Sequence, residues 1–297
     1  MTASVTSTST ATPATRSIGG GPTRSVAAAS WTALGALLLR DLVVLRKGLA
    51  MFVLRTIVQP FLLCFVFLYV FPKIGQGIGG HGAAQESAFA TILIPGVVGL
   101  SVMFQGVQSI ALTMSQEFGF TREIEDRVQA PCPIWLVAIA KVLSGAAQGA
   151  LSAIIVLPIA SVVHAPGVEA HLNLHWLQIL TFVPLACIAM AGLGLVLGTS
   201  FEPRNIGLMF GFIILPITFL GGTYYSWTKL APVTVDGVHW LQILVLLNPL
   251  IYINEGLRGA LTSFPHMHLY VTYPVVAGFV VVFLWLGLRN FRRRVLS

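Results

Sequence analysis

A charged segment, residues 115–133, lies between two long apolar stretches and has the residue types of a short amphipathic helix. Its apolar residues form one stripe with a spacing of four: Phe120, Ile124 and Val128. Thr121 can cap the helix, and Pro131 and Pro133 can end it, which gives about ten residues or about 15 Å. The rest of its surface is charged: Arg122, Glu123, Glu125, Asp126 and Arg127. Such a helix can bind a soluble partner; the alternative is a solvated loop helix with internal ion pairs such as Glu123–Arg127.

Three of the glutamines within apolar stretches are candidates for lining a path: Gln105, Gln108 and Gln148. They can line a polar path, or they can hydrogen-bond one helix to another. No acidic residue lies in the middle of an apolar stretch. This pattern argues against a carrier that moves protons on carboxylates within the membrane.

Membrane-spanning helices must position these residues. Of the 297 residues, 56% are apolar and 9% are charged, whereas soluble domains have about 25% charged residues. Six segments reach the length of about 20 apolar residues that a bilayer requires: residues 49–71, 88–113, 134–163, 176–200, 206–225 and 270–288. The sequence therefore predicts an all-α membrane protein with six transmembrane helices.

The basic residues predict the orientation. Twelve of them fall in segments on the side of the N-terminus: Arg16, Arg24, Arg40, Arg46, Lys47, Arg122, Arg127, Arg204, Arg289, Arg292, Arg293 and Arg294. Only three fall in segments on the other side: Lys73, Lys229 and Arg258. Lys and Arg mark cytoplasmic loops, so we expect a multi-pass protein of the cytoplasmic membrane with both termini in the cytoplasm. The net charge of +7 then reflects topology, and nucleic acid is not expected as a partner.

The two ends of the chain have their own character. Residues 1–24 are rich in Ser, Thr, Gly and Pro, which predicts a disordered cytoplasmic tail, and residues 291–297 form a basic cytoplasmic tail.

Residues 25–47 carry apolar residues at spacings of three and four: Trp31, Leu34, Leu38, Leu42 and Leu45. This pattern indicates an amphipathic helix that either lies on the membrane or packs on the cytoplasmic face of the protein.

The segment before the last span predicts two short helices. Asn248 followed by Pro249 is a helix start, with the asparagine as the cap and the proline in the first turn. One long spanning helix would bury Glu255 and Arg258 and would place the basic C-terminus outside. We therefore expect two outward-facing helices that dip into the membrane, with Glu255 and Arg258 able to pair because they are three residues apart.

The seven histidines all fall on the predicted outer side: His81, His164, His171, His175, His239, His266 and His268. His171 and His175 are four apart and can share a helical face, so a metal or pH-sensing site is one interpretation. The other interpretation, unrelated histidines at the interface, is preferred. The three cysteines, Cys64, Cys132 and Cys187, lie in different segments and predict neither disulfides nor a metal site.

Four stretches together resemble the membrane subunits of ABC-2 type transporters: REIEDRVQAPCP, LVAIAKVLSGAAQGALSAIIVLPIA, GGTYYSWTKL and LLNPLIYINEGLRGAL. The resemblance covers about residues 30–294 and makes residues 48–290 a transmembrane domain of this type. It implies that residues 117–128, Glu117 to Val128, include a coupling helix that docks on an ATPase subunit. It also implies an interface helix before the first span and a re-entrant pair before the last, marked by Asn248, Pro249, Glu255 and Arg258.

The resemblance implies partners that the chain does not contain. The phosphate-binding motif G-x-x-x-x-G-K-[ST] is absent from the sequence, and none of the four lysines follows a glycine. ATP and Mg²⁺ would therefore bind to two copies of a separate ATPase subunit, and no cofactor is expected in this chain. A second membrane subunit, identical or not, and the lipid bilayer are the other expected partners.

In this family the second and fifth spans face the partner subunit and the translocation path. The resemblance therefore implies path residues on both spans: Phe104, Gln105, Gln108, Phe212 and Phe219. The function expected from the sequence is export of an amphiphilic drug, lipid or lipid-linked glycan, driven by the separate ATPase. The alternatives are a membrane-embedded enzyme that modifies lipids and a non-catalytic scaffold or channel.

Overall fold

The computed structural model of the chain describes residues 26–74, 82–119, 133–168, 170–233 and 239–296. These residues form helices and connecting turns and contain no strand. Six of the helices are long and apolar enough to cross a membrane. The predictions of an all-helical chain and of six candidate membrane spans are confirmed.

We number the helices α1 to α9 in chain order. Three of them are not candidate spans: α1 Val26–Lys47, α7 Trp240–Val245 and α8 Pro249–Leu261. The six candidate spans are α2 Leu49–Lys73, α3 Ala83–Gly119, α4 Ile134–Val162, α5 Trp176–Ser200, α6 Pro203–Leu220 and α9 Leu269–Leu296. Both α2 and α6 contain a π-helical stretch, Phe65–Val70 and Phe210–Ile214.

Three helices end five or more residues away from the C-terminal end that the sequence predicts. Helix α3 continues to Gly119, so the polar residues from Ser115 onward, predicted to lie in a loop, are helical. Helix α9 continues to Leu296, so most of the predicted basic tail is helical; arginines near a helix C-terminus interact favourably with the helix dipole. Helix α6 ends at Leu220 and not at Tyr225, because Gly222 adopts a positive φ of 68° that breaks the helix.

Helix α3 lies at the centre of the molecule. In an apolar stretch of 18 residues of α3, 89% of the residues are buried, whereas the corresponding share is 17% in α6 and in α9. It contacts α2, α4, α5 and α8. A helix that is apolar on all sides suits this position, because every side meets other helices.

Glycines bring α3 and α5 into close contact. A methyl group added to Gly194 would lie 2.9 Å from the Cα and carbonyl oxygen of Val107, and one added to Gly198 would lie 2.9 Å from the Cα of Ala111. One added to Gly106 would lie 3.2 Å from Met190 Cβ. Small residues permit this backbone approach, which is the usual way that helices associate in membranes.

Helix α1 packs one side against the protein and leaves another side exposed. Leu34 is buried against Leu136 and Ala140 of α4, whereas Trp31 and Leu39 are 73% and 64% exposed. The sequence is compatible with a helix that lies on the membrane and with one that packs on the protein. The structure shows that it contacts the protein and also presents apolar side chains outward.

The α3–α5 contact predicts a large effect from one added methyl group. Gly194→Ala should destabilise the protein by about 1–3 kcal/mol, because the methyl group meets the backbone of α3 and cannot be relieved by a side-chain movement. Thermal unfolding of the purified chain in detergent measures the effect. Gly278→Ala in α9 is the matched control, because an added Cβ there meets nothing within 4 Å; equal melting temperatures for the two variants would contradict the prediction.

Candidate functional site

The two short helices before the last span start as the sequence predicts. The side chain of Asn248 accepts a hydrogen bond of 2.9 Å from the backbone N–H of Leu250, and Pro249 stands in the first turn of α8. Asparagine at this position satisfies a backbone donor that the helix leaves free. The separation of α7 from α8 at this point is confirmed.

Glu255 and Arg258 form an ion pair inside the protein. The Arg258 guanidinium donates to Glu255 Oε1 at 2.8 Å, and both side chains are 0% exposed. The sequence predicts the pairing but not the burial, because it indicates burial of these residues only for a segment that spans the membrane. Helix α8 has 13 residues and still buries both, because neighbouring elements enclose it.

The Glu255 carboxylate is fully engaged. Oε1 also accepts from the Ser226 hydroxyl at 3.2 Å and from the Trp227 backbone N–H at 2.8 Å. Oε2 accepts from the Met267 backbone N–H at 2.8 Å. Since hydrogen bonds and a cationic partner are what make a buried charge tolerable, this carboxylate holds together the turn after α6, helix α8 and the segment before α9.

Arg258 connects the same region to the centre of the molecule. Its Nε donates to the Ile92 carbonyl of α3 at 3.4 Å, and its second terminal nitrogen donates to the Gly222 carbonyl. Burial lowers the pKa of the Arg258 guanidinium from its ordinary value, and the charge of Glu255 opposes this shift. The arginine therefore links three elements that are distant in sequence.

Two asparagines of the α8 region bind the end of α6. The Asn254 side chain donates to the Gly221 carbonyl at 2.7 Å, and the Asn248 side chain donates to the Ile217 carbonyl at 2.7 Å. These carbonyls lie at the C-terminal end of α6, where a helix leaves acceptors without partners. The position of α6 is thus coupled to that of α8. We call these asparagine bonds, together with the Glu255–Arg258 ion pair and its other hydrogen bonds, the α8 network.

A polar cleft of about 480 Å³ opens between α1, α2, α3 and α4. Its polar lining is unusual for so apolar a chain: Asp41, Arg55, Gln108, Ser109, Thr113, Gln116, Lys141, Ser144 and Gln148. A smaller cavity of about 220 Å³ shares Arg55 and Gln108 with it and adds Gln59, Phe104 and Gln105. Together they form a polar route along one side of the central helix.

The five residues proposed for a path divide between two places. Phe104, Gln105 and Gln108 line the smaller cavity, and the Gln105 amide donates to Gln148 at 3.4 Å. Phe212 and Phe219 lie elsewhere, on an outward side of α6, where they are 78% and 58% exposed. The structure therefore brings the α3 residues together with the cleft and keeps the α6 residues apart from it.

The predicted coupling segment is flanked by a buried ion pair. Glu117, in the last turns of α3, binds Lys141 of α4 with Nζ and Oε1 2.6 Å apart. The remaining predicted coupling residues lie outside the described residues: Phe120, Arg122, Glu123, Ile124, Glu125, Asp126, Arg127 and Val128. Glu117 thus lies in α3 at the base of the segment, facing α4.

His171 and His175 do not share a helical face, so the less favoured interpretation of the histidines, a common site on one helix, is wrong at this pair. Residues 170–175 are not helical; the His171 backbone donates to Thr91 and the His175 backbone to Ala260. His268 stacks on Tyr270 with the ring centroids 5.1 Å apart. Within the described parts of the chain, no group of three or more His, Cys, Asp or Glu side chains could hold a metal ion.

Comparison with known proteins decides the family. The sequence matches the family described as ABC-2 type transporter over residues 32–262, and these residues include the cleft and, apart from Met267, the α8 network. The chain belongs to the ABC-2 type transporter family. It is similar to the inner membrane transport permease YadH of Escherichia coli (strain K12), with 29% identity over 234 residues that cover 77% of this chain and 84% of the relative. Proteins of that name from Escherichia coli O157:H7 and Shigella flexneri match equally.

Membership of this family shows the general role of the chain. It is the membrane-spanning permease subunit, which has no ATPase domain and is not itself an enzyme. The expected family is confirmed. The backbone groups that bind Glu255 and Arg258 could not be found from sequence, because any residue type supplies a backbone N–H or carbonyl.

The α8 network predicts strong destabilisation when one partner is removed. Arg258→Met should cost about 3–5 kcal/mol, because it leaves the Glu255 charge buried without its cation. Unfolding of the purified ABC-2 chain, followed by heat or denaturant, measures the loss.

The control and a second substitution make this test specific. Lys229→Met removes an exposed cation near the same region and should leave stability within about 0.5 kcal/mol. The double variant Glu255→Leu with Arg258→Met should lose less stability than the sum of the two single variants. Additive losses would contradict a coupled pair.

Proposed function

We propose that this chain is the membrane subunit of an ABC exporter that moves an amphiphilic drug, lipid or lipid-linked glycan out of the cytoplasm. A separate ATPase subunit, present in two copies, supplies the energy with ATP and Mg²⁺, and a second membrane subunit completes the transporter. The observation that carries the proposal is the family match over residues 32–262, on a chain whose described residues contain six candidate spans.

The coupling of ATP hydrolysis to the membrane runs through residues 117–128. The segment joins the central helix α3 to α4, and the Glu117–Lys141 ion pair ties the two helices together at its base. A movement imposed on the segment by an ATPase subunit would therefore displace both helices together. Since α3 also contacts α2, α5 and α8, such a displacement reaches most of the bundle.

The chain lies in the cytoplasmic membrane with both termini in the cytoplasm. Support comes from the distribution of basic residues along the sequence and from the name of the relative, an inner membrane transport permease. In this orientation α1 is the interface helix on the cytoplasmic side. Helices α7 and α8 are the extracytoplasmic re-entrant pair, held in place by the α8 network.

The polar cleft admits the head of an amphiphile. It contains Arg55, which forms no ion pair with the described residues, and its amide and hydroxyl groups can bind a polar head. Phe212 and Phe219 belong to an exposed stripe on α6 with Leu208 and Leu215. Their spacing of four, three and four residues makes one helical face, and we assign this stripe to the contact with the second membrane subunit.

Binding of the ATPase predicts an effect of charge reversal in the coupling segment. The chain, extracted from its native membrane, should bring an ATPase subunit down with it. The double variant Glu123→Lys with Asp126→Lys should lose this association at least about tenfold, because removing charge pairs that close across an interface costs more than about 1.4 kcal/mol. Quantitative affinity purification measures the association.

The matched control reverses two acids elsewhere. Glu86→Lys with Glu169→Lys changes the net charge equally on the side of the chain that should face away from the ATPase, and it should retain the association. An ATPase that stays bound to the Glu123→Lys, Asp126→Lys variant, with transport intact, would exclude the coupling role of this segment. Loss in both double variants would indicate an unspecific effect of charge.

The cleft and the orientation predict where water reaches α3. In a variant with Cys132 replaced by serine, Gln108→Cys should react with a membrane-impermeant maleimide in inside-out vesicles, because the cleft opens to the cytoplasm. The same variant should not react in intact cells. Ile154→Cys on α4, 70% exposed but inside an apolar span, should react in neither, because lipid surrounds it. Labelling of Gln108→Cys only from outside would reverse the orientation.

A further inference from the structure

A second large cavity lies between the start of α4 and the end of α9. Its volume is about 920 Å³. It is lined by two tryptophans, three arginines and three apolar residues: Trp135, Trp285, Arg289, Arg292, Arg293, Ile134, Leu288 and Phe291. Among the residues that the structure describes, no acidic side chain takes part in this lining. We call it the Trp–Arg groove.

One face of α9 supplies most of the groove. Trp285, Arg289, Arg292 and Arg293 follow one another at intervals of four, three and one, which places them on the same side of a helix. The Arg289 guanidinium lies 5.4 Å from the centre of the Trp285 ring, within the range of a cation–π interaction. Trp135, in the first turn of α4, forms the opposite wall and is 53% exposed.

The neighbouring Arg294 has a structural role and differs in this from Arg292 and Arg293. It points inward, lies over the Phe118 ring and donates to the carbonyls of Gly198, Thr199 and Phe201 at the end of α5. Arg292 and Arg293 are exposed and form no ion pair with the described residues. Their charges are therefore available to a ligand.

The position of the groove along the membrane span indicates which kind of ligand it can bind. About 20 helical residues cross the hydrocarbon core, so a span that begins at Leu269 leaves it near Leu288. Trp285 then lies at the boundary, where tryptophans are enriched, and the arginines lie at the level of the lipid head groups. Apolar side chains below and cations above match a molecule with acyl chains and an anionic head.

We propose that the Trp–Arg groove is a binding site for an anionic phospholipid of the bilayer. The arginines bind the phosphate through charge-assisted hydrogen bonds, and the tryptophans and Leu288 contact the glycerol and the upper acyl chains. The placement of the groove in the cytoplasmic leaflet rests on the proposed orientation; the lipid selectivity does not. Basic pockets between transmembrane helices are known to take such head groups.

Native mass spectrometry of the full chain, purified in detergent, tests the site. The probes are palmitoyl-oleoyl phosphatidylglycerol and phosphatidylcholine, which share acyl chains and differ in net charge. The wild type should bind phosphatidylglycerol at least about 25-fold more tightly, and Arg292→Gln or Arg293→Gln should each weaken that binding about fivefold without changing the binding of phosphatidylcholine. The triple variant with Arg289→Gln should abolish the preference.

A charge-matched control separates this site from general attraction. Arg46→Gln, Lys47→Gln and Arg204→Gln together remove three exposed cations outside the groove and should keep the preference. Equal binding of the two lipids to the wild type, an unchanged preference in the groove variants, or an equal loss in the control would overturn the proposal. It would also be overturned if the groove triple variant kept its phosphatidylglycerol but lost an associated ATPase, because the arginines would then bind a protein.

Because lipid binding is measured on the purified chain, the result does not depend on transport. Selective binding with no associated ATPase would contradict the proposed function and leave the groove assigned. Transport activity without selective lipid binding would support the proposed function and overturn the assignment of the groove.

Discussion

A buried charge must find partners, and this requirement organises the part of the molecule around helix α8. Glu255 and Arg258 are both fully enclosed, where an unpaired charge would be very costly. Their ion pair leaves further lone pairs and donors, and these are satisfied by backbone groups of Ile92, Gly222, Trp227 and Met267. Each bond fixes another element, so the positions of α3, α6, α8 and α9 depend on one pair of side chains.

The central helix transmits this constraint across the bundle. Helix α3 is joined to α8 near one end through Ile92 and to α4 near the other end through the Glu117–Lys141 pair. Between these points it packs closely on α5 through Gly194 and Gly198. A close-packed helix with polar anchors at both ends moves as a unit, which is what the proposed coupling to an ATPase requires.

Polar groups in this chain occur where they meet either each other or an aqueous boundary. The cleft beside α3 collects amides, hydroxyls and Arg55 on the proposed cytoplasmic side. The Trp–Arg groove collects exposed arginines above tryptophans at the end of α9. The two differ in chemistry: the cleft is lined mainly by neutral amides and hydroxyls, whereas the groove combines two tryptophans with three arginines. We therefore expect them to bind separate ligands.

The sequence by itself determined the local structure: the six apolar segments, the orientation preferred by the basic residues, the helix start at Asn248 and the pairing of Glu255 with Arg258. These follow from composition or from neighbours within four residues. Only the tertiary structure decided that the pair is buried, that Arg294 is the arginine of α9 that binds the end of α5, and that Phe212 lies apart from Gln105. Those outcomes depend on contacts with elements far away in the chain, and no local pattern records them.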